Sequence, residues 1–281
     1  MLNSKVILVA DGLSPVGKAV VEMLSNGGHI VYFGCDPGRS TVPTKGSATC
    51  LKLDLTSRNH ISKAITQILK TNGRLDVLAV NLAGSLYGGL EVVTPCCAEE
   101  HLNRSLIGLA RLQRAVLPTM RAQDSGRIYT IVAKFGAADV PLQAWQKILC
   151  DAQVTLTNTL AQEIAGTKLS ADVIYTPVFH KGQKRPHLNL NQALHDAIMP
   201  GLWQQYAARI QASFLSAQGV AEIAAEIVAQ LVPSKSEPQK AVKDDGFAKQ
   251  FCQSCAATQM VSGWPIFKLL KRRNNMKWDD V

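Results

Sequence analysis

Short apolar segments alternate with helical segments along most of this 281-residue chain. A strand followed by a helix and then by another strand builds a parallel sheet, and the connecting helices cover both faces of that sheet. The order of elements therefore predicts an α/β fold with a doubly wound parallel sheet, the Rossmann fold. The predicted strands occupy residues 6–10, 30–34, 49–53, 77–81, 127–132 and 171–175.

Helical periodicity places further elements between and after these strands. Beyond Pro177 the pattern changes to a polar, Lys-rich loop at 180–190. We therefore expect one Rossmann-type domain over residues 1–232 and a basic C-terminal extension over residues 233–281, so that the fold carries a helical C-terminal extension. The predicted helices occupy residues 18–24, 60–70, 99–120, 146–165, 192–215 and 220–231.

The net charge of +9 is spread thinly, apart from one basic cluster near the C-terminus. Residues 264–273 of that region resemble a basic amphipathic tail, which predicts either peripheral contact with a membrane or a packing segment. We expect no nucleic-acid partner, because the chain has no recognition motif and no basic-aromatic interleaving. We expect no transmembrane segment either, because no apolar run reaches 18 residues.

The seven cysteines are scattered and do not suggest a disulfide framework. Together with the absence of a signal peptide before the first strand, this pattern predicts a reduced, cytoplasmic protein. Cys252 and Cys255 form a lone CxxC pair. A zinc site usually needs a second ligand pair, so we predict no metal site.

Several short motifs recur in an order and spacing that resemble the classical short-chain dehydrogenases. The resemblance covers roughly residues 4–232 and is closest to the steroid and retinol dehydrogenase type. It implies the Rossmann fold and a dinucleotide cofactor. The motifs that carry it are Leu53-Asp54-Leu55, the run from Leu75 into Asn81-Leu82-Ala83-Gly84, Ser125-Gly126-Arg127-Ile128, Pro141, the segment 160–164, Pro177 and the helix 216–228.

The cofactor positions implied by this resemblance are degenerate. The family's glycine turn falls on residues 10–17, where only its last glycine is retained, and Asp11 and Pro15 stand at the other two. A carboxylate at ~4 Å from a phosphate at an effective dielectric near 20 is repelled by roughly 4 kcal/mol, or about three decades of affinity. We therefore expect no cofactor, with NAD as the alternative. The vestigial positions are Gly12, Gly17, Asp36, Asp54, Asn81 and Gly84.

The catalytic positions are more altered still, because no Tyr-x-x-x-Lys occurs in the chain. In the resemblance, the family's Asn, Ser, Tyr and Lys fall on Ser105, Ala133, Gln146 and Cys150 respectively. The Gln146 amide cannot ionise. The Cys150 thiol cannot supply the positive charge that lowers the pKa of a catalytic phenol toward the working pH. None of the catalytic tetrad is retained.

Three functions follow from these losses. The first is a catalytically inactive homologue, acting as a binding or scaffold subunit in a homodimer or a heterodimer with a relative. The second is a repurposed enzyme that binds an apolar small molecule for isomerisation, cyclisation or dehydration, with Cys150 and His180 as pocket residues. The third is an atypical NAD-dependent oxidoreductase with relocated catalytic residues, such as Lys134, Lys147 or Cys150.

Overall fold

The computed structural model describes residues 4–35, 48–81, 86–135, 141–178, 201 and 218–233. Strands and helices alternate through these residues, as the sequence predicts. In chain order the elements are β1 (Val6–Val9), α1 (Pro15–Asn26), β2 (Ile30–Cys35), β3 (Thr49–Lys52), α2 (Arg58–Asn72), β4 (Val77–Asn81), α3 (Pro95–Leu102), a π-helical segment (Asn103–Ile107), α4 (Gly108–Ala122), β5 (Gly126–Ala133), α5 (Ala144–Glu163), β6 (Leu169–Thr176) and α6 (Val220–Leu231).

The six strands form one parallel sheet in the order β3-β2-β1-β4-β5-β6. The first strand lies in the middle, where Ile7 is opposite Val31 of β2 on one side and Val77 of β4 on the other. This is the strand order of the doubly wound dinucleotide-binding folds. The predicted fold class is therefore confirmed, and the reversal of strand order lies between β1 and β4.

Two apolar cores cover the two faces of the sheet. Alternate residues of β1 enter them, so Leu8 packs in one core while Ile7 and Val9 pack in the other. The first core is closed by apolar residues of α2, α4 and α5, and the second by residues of α1 and α6. Strands buried on both faces read as continuous apolar runs, which explains why the sequence pattern was clear.

Hydroxyl side chains fix the starts of three helices. The oxygens of Ser14, Ser57 and Thr94 each accept a hydrogen bond from a backbone N–H three residues later, at 3.1, 3.4 and 3.4 Å. Such caps satisfy donors that the first helical turn leaves unpaired. The other end of α2 is closed by Gly73, whose φ of 71° is the left-handed conformation that favours glycine.

The long helix predicted at residues 99–120 has a different construction in the structure. It runs from Pro95 to Ala122 as α3, the π-helical segment and α4. A π-turn inserts an extra residue into the helical repeat, so one side chain is reoriented without ending the helix. Directly after it, Gly108 has room for no side chain, because a Cβ there would lie 2.8 Å from the Cβ of Leu55.

One cysteine pair was missed by the sequence analysis. Cys35 at the end of β2 is bonded to Cys50 in β3, and their Cα atoms are 6.3 Å apart, within the usual range for a disulfide. Spacing along the chain does not reveal this pair, because parallel pairing of the two strands brings the residues together. Disulfides persist in oxidising surroundings, so this pair does not support the reduced setting expected from the sequence. The cytoplasmic location stays a prediction.

The chain divides into two compact units, Met1–Ser236 and Glu237–Val281. The predicted loop at 180–190 and the basic tail lie outside the described residues. Of the helix predicted at 192–215 only Gly201 is described, and its position in a turn with a φ of 81° contradicts a continuous helix there. Among the residues that the structure describes, no helix has both the length and the apolar character needed to span a bilayer.

The central strands should dominate stability. Leu78 in β4 has no exposed surface, whereas Leu90 is 67% exposed. We expect Leu78→Ala to lower the free energy of unfolding by about 2–5 kcal/mol, because it removes buried methyl groups and leaves a cavity. Leu90→Ala is the matched control and should change it by less than about 0.5 kcal/mol. Urea titration of both variants measures this, and equal losses would contradict the assigned core.

Candidate active site

The turn between β1 and α1 is tight and has no room for side chains at two positions. A Cβ at Gly12 would lie 2.5 Å from the Cβ of Phe33, and a Cβ at Gly17 would lie 2.0 Å from the carbonyl oxygen of Asp11. Gly12 therefore leaves room for the Phe33 side chain, and Gly17 lets the helix start approach the Asp11 backbone. The turn is compact at both positions although only one glycine of the family's motif remains.

Pro15 is accommodated without loss in this turn. It occupies the start of α1, directly after the N-cap Ser14. The missing N–H of a proline matters little there, because amides of the first helical turn have no partner within the helix. The Gly17 N–H donates to the Ser14 hydroxyl, and the Lys18 N–H donates to the Ser14 carbonyl. The Val16 N–H is the first-turn donor that neither of these bonds uses.

The Asp11 carboxylate is bound to its own turn. Its Oδ1 accepts a hydrogen bond from the Ser14 N–H at 3.3 Å. Burial raises the pKa of Asp11, while hydrogen bonds from Ser14 and Leu13 and the charge of Arg104 lower it. A carboxylate that accepts hydrogen bonds from its own turn and lies near the Arg104 charge opposes an incoming anion less than the free carboxylate assumed from the sequence.

Two other predicted cofactor residues lie at the same edge of the sheet. The buried Asn81 ends β4, and its Nδ2 donates to the Ser14 hydroxyl at 3.5 Å. Asp54 follows β3, and its Oδ1 accepts hydrogen bonds from the N–H and hydroxyl of Thr56 at 2.9 and 2.7 Å. The bond from the Thr56 side chain is the main reason why the pKa of Asp54 is lowered. Asp36 and Gly84 lie outside the described residues.

Three of the four positions of the family's tetrad meet at the end of β5. The Gln146 amide nitrogen donates to the Cys150 sulfur at 3.8 Å, and Ala133 gives the same sulfur a backbone hydrogen bond. Ser105 is buried in the π-helical segment, and its carbonyl accepts from Gln153 of α5 at 3.2 Å. The structure therefore brings Gln146, Cys150 and Ala133 together, while Ser105 contacts α5 at Gln153.

Gln146 is held firmly in the place of the family's tyrosine. Its Oε1 accepts a hydrogen bond from the Leu86 N–H at 3.0 Å, while its Nε2 faces the Cys150 sulfur. The side chain is buried, and both ends of the amide are engaged. A fixed neutral amide can orient a neighbour but cannot itself carry a proton to or from a substrate.

Cys150 is not an activated nucleophile. Burial raises the pKa of its thiol to about 11, and the hydrogen bonds from Gln146 and Ala133 offset only part of that effect. Catalytic cysteines are instead thiolates with lowered pKa values in electropositive surroundings. The role of a relocated catalytic residue, which the sequence suggested for Cys150, therefore lacks its first requirement. His180, the other pocket residue suggested, lies outside the described residues.

The two lysines considered as relocated catalytic groups have other contacts. Lys147 forms an ion pair with Asp151, one helical turn further along α5, at 2.5 Å. Lys134 is exposed, and its Nζ lies 5.9 Å from the centre of the Tyr175 ring. Neither contact directs the ammonium group toward Gln146.

His101 is a candidate residue that the sequence analysis missed. It lies on α3 one helical turn before Ser105, and its Nε2 is buried without a hydrogen-bond partner. Burial is the main reason why its pKa is lowered, Arg104 lowers it further, and the nearby Gln146 side chain opposes both effects. Gln146 therefore adjoins the imidazole without bonding Nε2. The spacing of four residues from Ser105 was the available signal, because i and i+4 share a helix face.

The apolar residues beside this site form a small separate cluster. Leu86, Val93 and Ala98 are buried together, and Trp145 packs against them. The Trp145 Nε1 is also buried without a hydrogen-bond partner. Among the described residues, no group of three or more His, Cys, Asp or Glu side chains is placed to hold a metal ion.

The thiol chemistry gives a direct test of this site. At pH 7.5 a thiol with a pKa of about 11 is ionised in roughly one molecule in three thousand. Iodoacetamide should therefore modify the exposed Cys96 and Cys97 within minutes and leave Cys150 unmodified until the protein is unfolded in urea. Peptide mass spectrometry reads out each cysteine, and rapid native modification of Cys150 would contradict the assigned environment.

Comparison with known proteins agrees with this fold. The chain is 29% identical over 183 residues to the 3-ketodihydrosphingosine reductase of Bacteroides thetaiotaomicron, a match covering 64% of this chain and 66% of that protein. It is 26% identical over 185 residues to the 3-oxoacyl-acyl-carrier-protein reductase of Thermotoga maritima, covering 62% and 73%. A variant of actinorhodin polyketide ketoreductase, solved with NADPH, superposes with a TM-score of 0.68 at 20% identity, covering 83% and 92%.

These matches correct the first function inferred from the sequence, an inactive scaffold subunit. The relatives are named as reductases, and structural neighbours were solved with NADP or NADPH bound. The inference failed because losing the usual proton donor excludes one catalytic route and not the reaction class. A model of the family described as short chain dehydrogenase matches residues 5–186, and this chain therefore belongs to the short-chain dehydrogenase family.

Proposed function

We propose that this protein is a nicotinamide-dinucleotide-dependent oxidoreductase that interconverts a secondary alcohol and a ketone on an apolar skeleton. The observation that carries the proposal is the β1–α1 turn, which is compact at Gly12 and Gly17 and is capped by Ser14 although its glycine motif is degenerate. The matched reductases support the same reaction class. This is the third of the functions considered from the sequence, with the relocated groups still to be assigned.

The residues present fit a dinucleotide. The start of α1 offers the Val16 amide toward a pyrophosphate, and Gly12 and Gly17 permit the turn to be tight. Asp54, with its lowered pKa, is an anionic acceptor suited to an adenine amino group, and Asn81 braces the turn from β4. The bound dinucleotide would supply the hydride acceptor or donor, while the protein orients the substrate and handles the proton.

We expect NAD to be preferred over NADP. Asp36 follows directly after β2, in the sequence position where a carboxylate bonds the ribose hydroxyls of NAD. The arginine that often precedes this residue and pairs a 2′-phosphate is replaced by Cys35. A carboxylate without that cation repels the additional phosphate of NADP.

An apolar substrate is supported by the residues next to Gln146. The Leu86 N–H bonds the Gln146 amide, and the Leu86 side chain belongs to the cluster with Val93, Ala98 and Trp145. Apolar walls with a few polar groups are the usual composition of small-molecule sites. We therefore still predict an apolar ligand and propose that it contacts this cluster.

The dimer predicted from the family resemblance remains a prediction. The helical segments concerned expose two large apolar side chains, Ile107 and Ile148. Burying them against a second chain would remove apolar surface from water. This supports pairing through α4 and α5, either with another copy or with a relative.

Dinucleotide binding tests the proposal most simply. We expect calorimetric titration of the full chain to show micromolar binding of NADH and at least about tenfold weaker binding of NADPH, or about 1.4 kcal/mol. The melting temperature should rise with the concentration of NADH, because a ligand that binds only the folded state stabilises that state. No binding of either dinucleotide up to about 1 mM would overturn the proposal, whereas a preference for NADPH would overturn only the assignment of Asp36.

Replacing Asp11 tests how its charge acts on the cofactor. Asp11→Asn keeps an acceptor for the Ser14 N–H but removes the negative charge beside the pyrophosphate. We expect NADH to bind about tenfold more tightly to this variant. The control is Asp124→Asn, which removes an exposed carboxylate that pairs with Lys168 and should leave the NADH affinity unchanged. Equal affinities for wild type and Asp11→Asn would show that the carboxylate does not oppose the phosphates.

A further inference from the structure

We infer that His101 exchanges the proton with the substrate oxygen, in the role that the family gives to a tyrosine, and that Gln146 positions its imidazole. The inference rests on the proposed oxidoreductase function. It makes His101 a catalytic residue and Gln146 a positioning residue, and it gives the altered site a complete route for the proton.

A proton must move at the substrate oxygen whenever a hydride moves at its carbon. Among the groups that meet at the end of β5, Gln146 cannot ionise, and Cys150 is a neutral thiol whose sulfur accepts hydrogen bonds from Gln146 and Ala133. His101 adjoins Gln146 and carries an imidazole, the side chain whose ordinary pKa lies nearest to neutral pH. An imidazole is the side chain most often used for general acid–base catalysis.

The Nε2 atom of His101 has an unusual environment. It is shielded from solvent and has no hydrogen-bond partner among the described residues. A buried polar atom without a partner has lost its hydrogen bond to water and gained none in return, so it calls for an explanation such as a ligand or a catalytic role. A substrate hydroxyl or carbonyl beside Gln146 would give Nε2 its partner.

Gln146 holds the surroundings of this imidazole in place, and it is burial and Arg104, not Gln146, that favour the neutral form. The Leu86 N–H fixes the amide oxygen, so the amide cannot rotate freely beside His101. The charge that acts on the imidazole from the neighbouring π-helical segment is Arg104, which disfavours a second positive charge. From α5, Gln146 and the neutral Cys150 thiol add no charge. The pKa of His101 is therefore lowered from 6.5, with burial as the main cause.

The balance of the reaction is simple. In alcohol oxidation the hydroxyl proton passes to neutral Nε2, the carbon–hydrogen bond breaks with its electron pair going to the oxidised nicotinamide, and the carbonyl double bond forms. In ketone reduction the imidazolium returns its proton to oxygen as the carbon gains the hydride. Since the lowered pKa makes the neutral imidazole dominant at pH 7, oxidation should persist at neutral pH. Reduction should fall as pH rises through that pKa.

The substrate class follows from what surrounds the imidazole. Trp145 packs on the cluster of Leu86, Val93 and Ala98, and its indole Nε1 is a second buried polar atom without a partner among the described residues. Such a wall suits a secondary alcohol with an aliphatic or alicyclic skeleton. We therefore use 2-decanol with NAD as the probe pair for turnover.

The first experiment replaces the imidazole. His101→Gln should lower kcat for 2-decanol oxidation about 100-fold, in line with a lost general base, while the NADH Kd stays unchanged. Added imidazole should partly restore the rate of His101→Ala, which a merely structural role would not allow. The matched control is His29→Gln, because His29 is a buried histidine that precedes β2 at the amino ends of the strands, away from the site, and its Nδ1 accepts the Lys5 N–H at 3.2 Å.

The second experiment needs no turnover. Imidazole NMR titration of the full chain should show that NAD, whose nicotinamide is positively charged, lowers the pKa of His101 by about 1 relative to the NADH complex. The pKa of His29 should be the same in both complexes. Gln146→Glu should raise the pKa of His101, because a carboxylate then adjoins the imidazole.

The outcomes separate the two proposals. If wild type binds neither dinucleotide, the proposed function fails, and the catalytic role of His101 fails with it. If the dinucleotides bind but the pKa of His101 is identical in the NAD and NADH complexes, the inference is overturned while the proposed function stands. An unchanged kcat in His101→Gln would overturn it as well.

Discussion

The parallel pairing of β1 between β2 and β4 determines where every functional side chain of this protein lies. At this point the strand order reverses, and a cleft opens at the carboxyl ends of the strands. The β1–α1 turn, Asp54 and Asn81 all follow or end strands of this edge. The altered catalytic positions adjoin it from β5 and α5. A sheet that pairs in this order places a site here whatever its side chains are.

What distinguishes this chain is the use of neutral hydrogen bonds where its family uses a charge. Leu86, Gln146, Cys150 and Ala133 form a buried polar chain in which no member carries a charge at neutral pH. Such a network fixes geometry, because each buried polar group needs its partner. It also removes the cation that a catalytic phenol requires, so the titrating group lies on α3 instead, at His101.

The sequence predicted the framework better than the chemistry. Buried strands are continuous apolar runs, so β4 was predicted with the bounds Val77–Asn81 that the structure has. The helical periodicity of α6 likewise predicted its bounds, Val220–Leu231. The π-helical segment was not predictable, because one extra residue in a helical repeat leaves no mark in an amphipathic pattern. The Cys35–Cys50 pair was not predictable either, because it depends on which strands lie side by side. The hydrogen bond from the Ser14 N–H to the Asp11 carboxylate depends on the local shape of the turn, which the sequence pattern does not show.

The largest error came from treating a lost residue as a lost function. Four substituted positions show that the usual proton route is closed, but they do not show what a neighbouring helix supplies. His101 became visible only when its burial and its contact with Gln146 were known. Sequence alignment compares positions one at a time, whereas a proton donor can be replaced from any element that faces the same substrate oxygen.

The central claim is hydride transfer, and isotope transfer measures it directly. The full chain would be incubated with NADH deuterated at both C4 positions and a panel of apolar ketones that includes 2-decanone, and the products would be analysed by mass spectrometry. The account predicts an alcohol that carries one deuterium at the carbinol carbon. Oxidation of NADH without deuterium in any alcohol, or recovery of unchanged NADH with every ketone, would contradict it.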